Sequence, residues 1–357
     1  MVGDIKLGRH TVFGSNFWRA PHDPEWTESG VGLASEFGCG EDGHTCGPGW
    51  RGALGGSVTN GVLGYAEAKE GEAFLKIGVG ALIKGQCPAC LLEGSDDSYN
   101  FNSPYTFHQP PIWRHHLVNE SAIAMEHAAE LQTSTGRMGY RLRRTISVAH
   151  AKVVAMETDL ENTGDHPIRT PFYSHHFLAF DDRPTGPPLE LSLDLNLSAY
   201  TDCLAWAEPL ASYFELGGDP RWLRAHREVR GKTKIKAVYA GASHHRSRGT
   251  WEAKHPGWLS LRVEQTGPLP LYGYALYIEE RTLSPEPVQM LEIAPGESIR
   301  VTRTVTLRRL RQGLSTAPVE ESPWKAAAAH AGFRPQHAAP ANGRASVGTM
   351  RNRAQPK

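Results

Sequence analysis

Apolar and polar positions alternate with a period of two along most of the central chain, the spacing of half-buried strands whose side chains face opposite ways in turn. The stretch from Lys152 to Asp182, KVVAMETDLENTGDHPIRTPFYSHHFLAFDD, organises the rest. It predicts a strand over Val153–Leu160, a turn at Asn162-Thr163-Gly164-Asp165 and a second extended segment over Ile168–Phe180. His175 and His176 are neighbours on that second segment, so alternation sends them to opposite faces and only one can serve a given cavity. Further strands are predicted over Phe74–Ile83, Ser121–Gln132, Tyr140–Ala149, Lys234–Tyr239, Trp258–Val263 and Tyr272–Ile278. Leu189–Leu197 (LELSLDLNL) alternates without a break. A closing hairpin runs from Val288–Ile293 through Pro295-Gly296-Glu297 into Ser298–Leu307, and Pro220–Glu228 reads as a short helix. Strands at intervals of about ten residues, joined by turns, signal an antiparallel sandwich or barrel.

Composition narrows this picture. The 357 residues include 37 Gly and 25 Pro, with 39% hydrophobic and 21% charged residues, which suits a loop-rich all-β chain. One large β domain is expected over residues 1–312, followed by an Ala/Pro/Gly-rich tail over 313–357 too poor in apolar area to offset its ordering entropy. Lys plus Arg equals Asp plus Glu at 38 each, so net charge draws neither nucleic acid nor a membrane surface. A small or neutral partner fits better. No leader pattern opens the chain and no apolar run is long enough to span a bilayer, so a cytoplasmic protein is the expectation. An odd five cysteines (Cys39, Cys46, Cys87, Cys90, Cys203) favour free thiols. A zinc site built on Cys87-Pro-Ala-Cys90 is disfavoured, because Cys39 and Cys46 lack tight zinc spacing.

Candidate chemistry is sparse. The pairs His115-His116, His175-His176 and His244-His245 cannot each bind one metal from one strand face, so no metal is expected. Gly78-Val79-Gly80 lacks the third glycine and the helix of a phosphate loop. Lys76 and Lys84 are cations beside a strand, able to hold a sugar hydroxyl or to guard a sheet edge. Tyr99–Pro111 and Trp113-Arg114-His115-His116 mix aromatic faces with polar donors, the combination that holds sugar rings.

Four segments in combination resemble the galactose mutarotase-like superfamily, and within it aldose 1-epimerase-related proteins: GLASEFG (Gly32–Gly38), GYAEAKEGEAFLKIGVGALIK (Gly64–Lys84), DLENTGDHPIRTPFYSHHFLAFDD, and RTLSPEPVQMLEIAPGES (Arg281–Ser298). The resemblance spans Gly32–Leu307. It implies an antiparallel β-supersandwich and a cofactor-free reaction that interconverts the α and β anomers of a free aldose. In that reaction a carboxylate takes the C1 hydroxyl proton while a histidine protonates the ring oxygen, and the opened aldehyde turns and recloses. Carried over, His175 is the acid and Glu286, in Ser284-Pro285-Glu286-Pro287, is the base, with Glu279 and Glu280 as rival bases. The competing reading of Glu286 is a solvated turn. Ordinary pKa values of about 6.5 and 4.3 let such a pair hold opposite protonation states near neutrality. Candidates for holding sugar hydroxyls are Lys76, Lys84, Arg114, His115, His176, Asp181 and Glu279, where His176 stands at a position the family gives to Asn. Acid and base are expected to flank a hollow one pyranose wide.

The chain departs from the family pattern at its start, which precedes Gly8–Phe17 with few strands, and at cysteine-bearing insertions over Gly38–Gly49 and Gly85–Ser98. The partner implied is a small-molecule sugar, and the protein is expected to be a monomer or weak dimer. The alternative is a carbohydrate-binding sandwich without turnover. More remote is a sugar lyase or hydrolase, which would want a second carboxylate or a tyrosine in the cleft.

Overall fold

Period-two burial is the rule in the structure as in the sequence. The structure, a computed structural model, describes residues 5–7, 10–13, 33–38, 61–85, 99 and 105–310, less 182, 199, 203–206, 232 and 241–246. All of these belong to one unit, Met1–Glu320, and a second unit, Glu321–Lys357, lies outside them. The five cysteines, His244-His245 and the expected disordered tail also fall outside the described residues.

In chain order the strands are β1 (Ile5–Leu7), β2 (His10–Phe13), β3 (Leu33–Phe37), β4 (Val62–Leu63), β5 (Ala73–Lys76), β6 (Gly80–Ile83) and β7 (Phe107–Gln109). There follow β8 (Arg114–Asn119), β9 (Ala122–Thr133), β10 (Gly136–His150), β11 (Val153–Asn162), β12 (Ile168–His176), β13 (Glu190–Leu193) and β14 (Thr201–Asp202). The last are β15 (Phe214–Leu216), β16 (Trp222–Ala225), β17 (Ile235–Ala240), β18 (Arg248–His255), β19 (Leu259–Thr266), β20 (Leu271–Glu279), β21 (Thr282–Ile293) and β22 (Ser298–Arg309). Among the described residues the only helical turn is a 3-10 turn at Leu210–Ser212, and no helix is long and apolar enough to cross a membrane.

Two antiparallel sheets carry the fold. One has ten strands in the order β15-β16-β13-β18-β19-β22-β11-β10-β9-β8, the other six in the order β14-β17-β20-β21-β12-β3. A four-stranded sheet, β4-β5-β6-β7, joins them at one end. The core between them draws Phe37, Phe172, Ile168, Leu291 and Ile293 from the six-stranded sheet and Tyr140, Leu142, Leu160 and Val301 from the ten-stranded one. It takes Leu75, Ile77 and Ala81 from the four-stranded sheet. Along β11 burial alternates at every residue, with Val154, Met156, Thr158, Leu160 and Asn162 inward. β20, by contrast, is buried at all nine positions, so its outer face is also withdrawn from water.

The turn read at Asn162 ties together two crossovers between the sheets, since β11 and β12 lie in different sheets and so do β21 and β22. The expected closing hairpin is therefore not a paired hairpin, because β22 takes its ladders from β11 and β19 and β21 from β12 and β20. Asn162 Nδ2 donates to the carbonyls of His166 (2.8 Å) and Ile293 (2.9 Å), and its Oδ1 accepts from the Gly164 amide (3.0 Å). The Gly296 amide of the β21–β22 turn donates to the Asn162 carbonyl at 2.9 Å.

Three further expectations change. Pro220–Glu228 is not helical: Trp222–Ala225 is a strand because β13 and β15 offer ladders on its two sides. Phe74–Ile83 is two strands, with Gly78 at φ 80° in the turn between them. In Leu189–Leu197 all five leucines are buried as the alternation demands, but ladder pairing stops at Leu193.

Candidate functional site

The seam between β12 and β21 is where the sequence places its chemistry, and two prolines decide its form. The strands pair from Ile168 with Ile293 to Tyr173 with Val288, and the same register resumes at Leu178 and Leu283, which exchange two hydrogen bonds of 3.1 Å. Hydrogen-bonded pairs alternate along an antiparallel ladder, so the next donors toward β12 would be the backbone nitrogens of residues 285 and 287. Both are proline and carry no N–H. The ladder therefore opens between Tyr173 and Leu178, and the register places His175 opposite Glu286 in that opening. Glu286 is thus mid-strand, not in a solvated turn.

His175 Nε2 lies 3.3 Å from Glu286 Oε1, with side-chain exposures of 15% and 1%. The ring of Phe177 stacks on His175 at 4.3 Å, and Tyr277 meets it edge-on at 5.1 Å. Tyr277 and Glu279 stand on β20, on the face that Glu286 occupies, because Ala275 pairs with Glu286 and Tyr277 with Ser284. The Tyr277 hydroxyl donates to the Glu279 carboxylate. Burial raises the Glu279 pKa above its usual value, opposed by that hydrogen bond and by the Lys234 ammonium. The Tyr277 hydroxyl is raised too, by burial and then by the carboxylates of Glu279 and Glu286, so it remains a neutral donor. The Ser284 hydroxyl on this face is buried and has no hydrogen-bond partner among the described residues. At the β3 side, Tyr173 donates to Glu36 Oε2 at 2.5 Å.

The site therefore gathers His175, Glu286 and Glu279, and adds Tyr277, Phe177, Ser284 and Lys234. Sequence reading missed Tyr277 and Ser284 because their membership depends on the β20–β21 register, which no local pattern encodes, whereas Phe177, two residues beyond His175, was legible from strand alternation. The other candidates lie elsewhere. His176 faces the layer between the sheets and is fully buried, and its pKa is held well below the usual 6.5 by burial and by Arg303. Lys76 donates to the Phe37 carbonyl at 2.5 Å, clamping the end of β3 to the four-stranded sheet. Lys84 donates to the Tyr65 carbonyl at 3.1 Å and lies over the Tyr65 ring. Arg114 and His115 are exposed on β8, at the end of the ten-stranded sheet. Asp181 sits in a left-handed turn at φ 53° beyond β12, and Glu280 occupies the β20–β21 turn beside Arg281.

Acid and base were expected to face each other across a sugar ring, yet they touch. The physical reason is that cross-strand neighbours on one face stand only about 5 Å apart. Among the described residues no three His, Cys, Asp or Glu side chains gather as a metal ion would need.

No protein-family model matches the chain, and no curated protein does. Among solved structures it is similar to a galactose mutarotase-like protein from Clostridium acetobutylicum, at 8% identity over 84% of this chain and 86% of that one, with a TM-score of 0.40. It is similar to galactose 1-epimerase from Lactobacillus acidophilus (10% identity, 87% and 89% of the two chains, TM-score 0.39). A third is an aldose epimerase homologue from C. elegans (12% identity, 60% and 78%, TM-score 0.38). Identity at this level says nothing about the chemistry of any one position.

Proposed function

We propose that the protein interconverts the anomers of a free aldose or a related sugar, with His175 as the acid and Glu286 as the base. The observation that carries this reading is the His175–Glu286 contact at 3.3 Å in the proline-made opening of the ladder. The hydroxyl oxygen and the ring oxygen of a cyclic aldose are bonded to the same carbon. Groups within hydrogen-bond reach of each oxygen can then stand as close together as two cross-strand neighbours do. A sugar entering the opening exchanges the His–Glu contact for two new ones.

Glu286 accepts the C1 hydroxyl proton while His175 gives a proton to the ring oxygen, and the C1–O bond to that oxygen breaks to leave an aldehyde. Rotation about C1–C2 presents the other carbonyl face. Return of the ring hydroxyl's proton to His175 and of Glu286's proton to the carbonyl oxygen closes the ring with inverted C1. No group is consumed. Phe177 beside His175 supplies an apolar surface for the C–H face of a sugar, and Ser284 a hydroxyl for its polar edge.

The burial of Glu286 favours a second reading, in which the pair is structural and the opening binds sugar without turnover. Anomer exchange followed by NMR on freshly dissolved α-glucose and α-galactose separates the two. Wild type is expected to speed exchange, and His175→Asn and Glu286→Gln each to lower the rate by about 10²–10⁴-fold. Saturable sugar binding with exchange no faster than buffer would leave only the binding reading.

A further inference from the structure

The layer between the two large sheets holds a group of positive donors that the site above does not use. Arg303, on β22, is 1% exposed and points into the core. Its Nε donates to Gln265 Oε1 at 2.7 Å, and its guanidinium lies 4.7 Å from the centre of the Phe172 ring. Nη1 and Nη2 are buried and have no hydrogen-bond partner among the described residues. Arg144, on β10, donates from Nη2 to the Ser35 carbonyl at 2.8 Å, while its buried Nε has no partner there. The Ser35 hydroxyl is buried and likewise unmatched. Ser35 pairs with Ser174 across β3 and β12, and His176 is the next inward residue of β12.

The side-chain amide acceptors of this layer are already committed. Gln265 Oε1 takes both Arg303 Nε and the Ser174 hydroxyl (3.0 Å), and Gln289 Oε1 takes Gln265 Nε2 at 3.1 Å. The carboxylate whose field reaches Arg144 is Glu36, which projects from the opposite face of β3 and accepts from Tyr173. Burial, and then the nearby Arg144 charge, hold Arg303 well below the usual arginine range. An arginine does not shed its proton in proteins, and a buried charge with unmet donors is costly unless an anion answers it.

We propose that Arg303, Arg144 and Ser35 form a binding site for one small monovalent anion of chloride size, enclosed between the sheets and separate from the His175–Glu286 opening. Three guanidinium nitrogens and one hydroxyl oxygen without partners among the described residues supply donors to it. A monovalent ion sheds its water at far less cost than phosphate or sulfate, and donor atoms this deeply buried select for that. The ion would tie β3, β10 and β22 together, and so the two sheets.

Thermal melts of the full chain at constant ionic strength test this, with sodium chloride exchanged stepwise for sodium gluconate. Once chloride exceeds its dissociation constant, the Tm is expected to rise by about 2 °C per tenfold chloride. Arg303→Met, close in volume and uncharged, is expected to fold and to lose this dependence. Crystals grown in sodium bromide should show an anomalous peak within hydrogen-bond distance of the Arg303 Nη atoms, and this measurement decides the matter even if the variant does not fold. Equal melts of wild type in both salts, or a bromide crystal with water alone at Arg303, would overturn the proposal.

Discussion

Tyr277 and Glu279 show how a single hydrogen bond ties the site to the stability of the sheet. Both side chains are buried, and the hydroxyl donates to a carboxylate that burial has already made costly to charge. Removing the hydroxyl leaves that carboxylate short of a donor, at a cost of about 1–3 kcal/mol. Tyr277→Phe is therefore expected to lower the urea midpoint clearly, and Glu279→Gln in the same chain to recover part of the loss. A double-mutant cycle read from urea melts should give a coupling of about 1–2 kcal/mol. Coupling near zero would mean that the bond does not form in solution. At this scale the sequence was partly legible. The opposed directions of His175 and His176 follow from strand alternation alone, and the structure has one at the seam and the other in the core. Tyr277 was illegible as a site residue, since its neighbour Ser284 is fixed by a register seven residues further along the chain and nothing in YGYALYIEE marks one tyrosine above the others.

At the scale of elements, Pro285 and Pro287 are the members that break a local rule. Proline is excluded from central strands because it cannot donate to the ladder, yet β21 lies between β20 and β12 and carries both. Their missing donors face β12 alone, so β21 keeps its pairing with β20 while the seam toward His175 stays open. This is why Ser-Pro-Glu-Pro reads as a turn in the sequence and is a strand in the fold. The period-two signal was disrupted by residues whose strand character depends on the neighbour at one side. Replacing both prolines by valine restores two donors, each worth about 1 kcal/mol net when paired, partly offset by a more flexible unfolded chain. The double variant is expected to be more stable by about 1 kcal/mol in urea melts and, if the opening admits sugar, slower in anomer exchange. A variant less stable than wild type would show that the ladder does not close when its donors return. The helix read at Pro220–Glu228 failed for the related reason that a short polar segment takes its form from the ladders beside it.

The whole molecule answers pH through histidines that folding removes from water. His127, His176 and His255 all have pKa values below the usual 6.5, each chiefly through burial; Arg303 adds to the effect at His176, and Arg183 at His255. A histidine whose folded-state pKa is depressed binds its proton more readily once the chain unfolds. Its contribution to stability is complete above about pH 6.5 and is lost as pH falls toward the folded-state value. Glu279 runs the other way: its raised pKa stabilises the fold at low pH and loses that effect as pH rises through the folded value. Between pH 6.5 and 5 three groups act against one, so the net slope is set by the histidines. Urea midpoints are expected to hold steady from pH 8 to 7 and to fall steadily below 6.5. His176 is the most deeply buried of the three, and while its folded form stays neutral it contributes up to about 1.4 kcal/mol per pH unit. His176→Gln keeps a polar group beside Arg303 without a titrating one, and should flatten the slope by that amount whatever it does to stability at pH 8. A slope unchanged in that variant would mean that His176 is protonated in the folded chain, which burial and the adjacent Arg303 charge make unfavourable.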